Sequence, residues 1–80
     1  MKAIKIHPND KVAVAIDTIK AQESFEIDGN EYIAKAEIPA GHKVALTPIK
    51  VGENIIKYGF PIGHAKEDIA VGEHVHSHNV

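Results

Sequence analysis

Eighty residues without a cysteine make one small domain, residues 1–80, with no disulfide to hold it, so the core stands alone or leans on a metal or a partner chain. The net charge is -2 with neutral histidines and rises to +4 when all six are protonated, which gives no basis for nucleic-acid binding, and four aromatic residues are too few for a base-stacking platform. No apolar run is long enough to span a bilayer, and the start, MKAIKIHPND, lacks a signal-peptide core, so the expectation is a soluble cytoplasmic protein.

In chain order, KVAVAI (Lys11 to Ile16) is a short apolar run rich in β-branched residues. The best helix candidate follows, around Asp17 to Gln22, and amounts to one or two turns at most. SFEI and EYIAKAEI then alternate apolar with polar at period two, the mark of half-buried strands. Between them Asp28-Gly29-Asn30 reads as a hairpin turn, because these residues accept positive φ at little cost. KVAL and NIIKY are further short strands, separated by the turn signals PAGHK, KVGEN, YGFPIG and AVGEH.

A pattern recurs through the turns: IKAQE at Ile19, IPAGH at Ile38, IKVGE at Ile49 and IAVGE at Ile69. Each reads as a strand end whose isoleucine plugs the core, followed by a tight turn that needs glycine. Ile19 and Ile38 lie 19 residues apart and Ile49 and Ile69 lie 20 apart, a loose internal duplication too short to be a solenoid. The expectation is an all-β domain of short strands.

The histidines carry the chemistry. His74, His76 and His78 alternate along GEHVHSHNV, and on a strand such residues share one face, so their imidazoles can reach one ion. A bare His-x-His leaves the alternative of a solvated C-terminal strand open. His42 and Lys43 follow Pro39-Ala40-Gly41 at the mouth of a hairpin, where an imidazole can exchange protons near neutral pH or sit idle in solvent. Lys57 can pair with a carboxylate and Tyr58 can donate a proton or hydrogen bond, or both can serve the strand end alone. His64 and His7 read as surface or structural residues, and Glu23, Glu53, Glu73 and Asp68 as solvated turn carboxylates.

Three motifs in order, IPAGHKVAL (Ile38 to Leu46), IKYGFPIG (Ile56 to Gly63) and GEHVHSHN (Gly72 to Asn79), resemble the SAF domain of the altronate and galactarate dehydratase family, and DKVAVAIDTIKAQE is similar to that family's opening strand and turn. The resemblance covers nearly the whole chain. It implies a β-clip fold of short strands and long bent hairpins. It implies a component of a hydro-lyase that converts sugar acids such as altronate to 2-keto-3-deoxy acids, usually with Fe²⁺ or Mn²⁺. The chain would then be an N-terminal domain or stand-alone small subunit, inactive alone, with a large catalytic subunit and a sugar acid as partners and homo-oligomers compatible. On this reading His42 is catalytic, as base or metal ligand; Lys43, Lys57 and Tyr58 meet the substrate; and His76 and His78 hold the metal. The family often carries an aromatic residue at position 74, so the resemblance gives His74 no role, and Gln22 stands where a glycine is usual. The rival readings are the small subunit of sulfolactate sulfo-lyase, which expels sulfite instead of water, a non-catalytic sugar-acid-binding module, and a stand-alone metal-binding protein.

Overall fold

The run KVAVAI is apolar at nearly every position because the strand it forms is covered on both sides. The computed structural model describes residues 2–5, 7–57 and 59–80, with the backbone alone for Lys57. Its strands are β1 (Ala3–Ile4), β2 (Val12–Ala15), β3 (Ser24–Ile27), β4 (Asn30–Ile33), β5 (Lys43–Ala45), β6 (Asn54–Lys57), β7 (Phe60–His64) and β8 (His74–Val75). A four-stranded antiparallel sheet runs β1-β2-β5-β8, and β3–β4 and β6–β7 form separate hairpins.

Alternate residues of a strand face opposite ways. Ala13, Ala15 and Val44 accordingly pack in one core cluster with Phe25, Ile27 and Ala34 of the first hairpin and its return. Val12, Ala45 and Val75 pack in a second with Ile55 and Ala65 of the other hairpin and its return. Each hairpin therefore covers one face of the sheet. The fold is all-β, as expected, and among the described residues there is no helix, so none long and apolar enough to cross a membrane. Asp17 to Gln22, the helix candidate, is instead a bend, a bridge residue and a turn. Ile19 is committed to a cross-chain bridge, which takes the backbone groups a helical turn would need.

The repeating isoleucines meet in pairs. Ile19 bridges Ile38 and Ile49 bridges Ile69, each through two reciprocal backbone hydrogen bonds of 2.7 to 2.9 Å, and all four side chains are buried. The one-residue difference in spacing has a local cause. The β6–β7 ladder pairs Ile55 with Gly63 but Ile56 with Pro61, so Ile62 is an extra residue in a β-bulge.

The turns after these isoleucines share one construction. Lys20–Glu23, Lys50–Glu53 and Ala70–Glu73 close by a backbone bond from the glutamate N–H to the first carbonyl, and the glutamate Oε1 accepts the first residue's N–H at 2.9, 2.6 and 2.8 Å. Asp10 closes on His7 and Asn79 closes on His76 in the same way. Asp68 in turn accepts the Val51 N–H. Glu23, Glu53, Glu73 and Asp68, expected to be merely solvated, are turn caps. The third position takes positive φ, which explains Gly52 and Gly72, and Gln22 takes it too, at 71°, where glycine was expected. Asp28 and Gly29 both have positive φ, the hairpin turn expected there.

Candidate functional site

One turn breaks the rule. Pro39 to His42 closes with the His42 N–H on the Pro39 carbonyl, but Pro39 has no N–H for a side chain to cap. The position held by glutamate in the sister turns is therefore released from capping, and His42 occupies it. Sheet register then decides where that ring goes. Val44 pairs with His74, so continuing the ladder sets His42 across from His76, on the face that carries His74.

The rings meet accordingly. His42 Nδ1 lies 2.8 Å from His74 Nε2, His42 stacks on His76 with centroids 4.4 Å apart, and His74 and His76 are nearly parallel at 5.4 Å. One potential ligand nitrogen from each of the three falls within 4.8 Å of the others. His42 and His74 are half-buried and His76 is exposed. Partial burial, then the neighbouring His42, His78, His76 and Lys43, lower the His74 pKa from its ordinary value, which favours the neutral ring that binds metals and accepts protons.

The tail departs from the expected strand. Strand pairing ends at Val75 and the chain turns over His76 to Asn79. Asn79 is fully buried; its Oδ1 accepts the His76 N–H at 3.0 Å and its Nδ2 donates to the His74 carbonyl at 2.8 Å. A buried amide that satisfies these groups outcompetes a strand with nothing further to pair on. The alternation of His74 and His76 survives, but His78 lies beyond the cluster of three, its ring tilted 5.3 Å from that of His74.

Of the residues singled out in the sequence, the structure brings His42 and His76 together and adds His74, which spacing placed on the same face but no motif singled out. Its signal in the sequence was the alternation with His76, and its meeting with His42 comes from the register with β5, which only folding reveals. Lys43 is half-buried on β5, close enough to act electrostatically on His74. The Lys57 side chain and Tyr58 lie outside the described residues. His64 is exposed on β7, and the His7 ring packs on Gly59 while its Nδ1 accepts the Asn9 N–H.

A two-faced β-sheet with a hairpin on each side and a histidine cluster at one end defines a small all-β domain with a candidate metal or proton-handling site. The altronate/galactarate dehydratase SAF domain model matches residues 1–80. The chain is 49% identical over 76 residues to altronate dehydratase of Bacillus subtilis (strain 168), which covers 95% of this chain and 15% of that protein. It is 47% identical over 79 residues to altronate dehydratase of Escherichia coli (strain K12), covering 99% of this chain and 16% of that protein. With (2R)-sulfolactate sulfo-lyase subunit alpha of Paracoccus pantotrophus it shares 56% identity over 46 residues, 58% of this chain and 69% of that subunit. The chain belongs to the altronate/galactarate dehydratase SAF domain family, and it spans only about one sixth of the length of the altronate dehydratases it matches.

Proposed function

We propose that this chain is the SAF component of a cytoplasmic sugar-acid dehydratase and that His42, His74 and His76 are its contribution to a metal-dependent active site completed by a larger body. The observation that carries this reading is the convergence of three imidazoles on a chain whose whole length matches that family. The donor set suits a divalent ion. Metal–imidazole bonds of about 2.0–2.1 Å put two ligand nitrogens roughly 3 Å apart, so the 2.8 Å pair opens only slightly to admit one. An all-nitrogen set fits Fe²⁺ better than Mn²⁺, which prefers oxygen. When bound, the ion supplies positive charge at the carboxylate and hydroxyl oxygens of the substrate.

The chain's own residues do the rest of what this end of the domain can do. His42 and His74 lie within hydrogen-bond distance, with donor and acceptor set by the tautomers of the two rings. If His42 is not itself a ligand, the tautomer in which its Nδ1–H donates to His74 leaves its Nε2 lone pair open to take a proton from the carbon beside a carboxylate; if its Nδ1 holds the ion, its proton sits on Nε2 and the base comes from the body. Expulsion of the neighbouring hydroxyl as water then leaves the enol of a 2-keto-3-deoxy acid. The acid that assists the hydroxyl comes from the body.

The test is turnover of altronate and galactarate by the chain assembled with its body, with the chain alone as control. Dehydration by the assembly and none by the chain is the expected result. His42→Ala separates the roles of that residue: a ligand loses bound metal, a base keeps metal and loses turnover. Absence of dehydration in the assembly rejects the reading. The match to sulfo-lyase subunit alpha supports a second reading, since there the chain covers most of a separate subunit. Release of sulfite from sulfolactate by the same assembly would select it.

A further inference from the structure

The two hairpins have the same build and cover opposite faces of the sheet, yet they show different chemistry to solvent. The first exposes Ser24, Glu26, Asn30 and Glu31, with Ile33, 47% exposed, at its foot. Ladder register matches these positions to Asn54, Ile56, Phe60 and Pro61 of β6–β7. The second hairpin has thus exchanged its acids for apolar residues, with Phe60 72% exposed. It also carries the extra residue Ile62, 44% exposed, at a bulge of the kind that re-aims a side chain. Single exposed hydrophobics are ordinary. Here the sister hairpin is an internal control at the matching positions, where it exposes Glu26, Asn30 and Glu31, and Phe60, Pro61 and Ile62 are consecutive exposed apolar residues on the element that carries the insertion.

The foot of this hairpin is fastened to the histidine turn. A Cβ on Gly63 would stand 2.9 Å from Val80 Cγ1, and the Lys66 N–H donates to the Asn79 carbonyl at 2.8 Å. The foot of the hairpin thus touches the tail that follows His76, on the sheet face opposite the histidine rings.

We infer that the end of β6–β7 bearing Phe60, Pro61 and Ile62 is the surface on which the rest of the dehydratase docks, through an apolar recess that takes the Phe60 ring and the Ile62 side chain. The inference rests on the proposed function for its occupant: the body that makes up about five sixths of the related altronate dehydratases. That body, rather than a second copy of this chain, has to approach the histidine cluster to complete it.

The test is assembly of the full chain with its body, followed by the dissociation constant and by hydrogen exchange of residues 54–64 and 24–33 in the complex. Phe60→Ser with Ile62→Ser should weaken assembly at least tenfold and leave the circular dichroism and metal affinity of the chain unchanged. Glu26→Ser with Glu31→Ser should leave assembly unchanged, and exchange should slow over 54–64 alone. Normal assembly and turnover by the Phe60/Ile62 variant, or protection of 24–33 instead, overturns the docking surface while the proposed function stands. A wild-type chain that never assembles with the body overturns both. Self-association of the chain that the Phe60/Ile62 variant abolishes assigns the surface to a second copy and overturns the inference.

Discussion

His42 Nδ1 and His74 Nε2, 32 residues apart in sequence, lie 2.8 Å apart, within hydrogen-bond distance, with donor and acceptor set by the tautomers of the two rings. An ion held by both rings would take both of these lone pairs, with the His42 proton on Nε2. His74→Ala and His76→Ala should therefore each weaken divalent-metal binding by more than about tenfold, since even residues that only orient ligands cost 10- to 100-fold, and His42→Ala should do the same if His42 is a ligand and leave binding unchanged if it is the base. His78→Ala, outside the cluster, should cost less. Calorimetric titration with Fe²⁺ under anaerobic conditions and with Mn²⁺ checks both the ligand set and the expected preference for Fe²⁺.

Stability of the metal-free chain should depend on pH in two separate windows. The His74 pKa is lowered on folding, so below its ordinary value of 6.5 the unfolded chain takes up the proton first. Stability should be level above about 6.5 and fall as pH drops toward the depressed folded value. Glu23 is lowered by the Lys20 N–H it caps and then by Lys2, so its contribution is present above its ordinary 4.5 and is lost as pH falls through the folded value. Urea midpoints across pH 3 to 8 check this, with His74→Gln flattening the upper window and Glu23→Gln the lower.

Gly72 and Gly52 have nearly the same φ, 88° and 86°, but different surroundings. A Cβ at 72 would collide with the Ile33 carbonyl oxygen, whereas nothing lies within 4 Å of a Cβ at 52. Gly52→Ala should cost about 1 kcal/mol, the strain of the left-handed backbone, which Gln22 already bears in the sister turn. Gly72→Ala adds backbone collision and should cost more than about 3 kcal/mol. Denaturant unfolding of the two variants side by side gives the difference.

Asn79→Ala should destabilise the domain by about 1–3 kcal/mol, because it removes a fully buried amide and strands its part-buried partners, the His76 N–H and the His74 carbonyl. It should also loosen the His76 ring, lowering metal affinity without removing a ligand. Asn79→Asp separates the two effects: it restores an acceptor for His76 but has no donor for His74. Unfolding midpoints and metal titration, measured together, check this.

The alternating runs and turn residues were legible as a small all-β domain, and the spacing of Ile19, Ile38, Ile49 and Ile69 was legible as a duplication. Short-range physics sets both: a period of two for strands, and glycine or asparagine where φ must be positive. That each isoleucine pair forms a cross-chain bridge, and that the extra residue of the second pair is a bulge at Ile62, are facts of long-range pairing. The ordered motifs were also enough to indicate the SAF family.

The site was only half legible. His42 and His76 were given roles, but their partner His74, which the spacing set on the same face, was given none by the family resemblance, and His78 was grouped with His76 on the premise of a strand that in fact ends at Val75. Local sequence determines which residues are able to do chemistry. Tertiary structure decided which of them meet: the β5–β8 register sets Val44 against His74, Pro39 frees His42 from capping its turn, and a buried Asn79 bends the tail away. Register and burial depend on partners distant in the chain, and no window of sequence contains them.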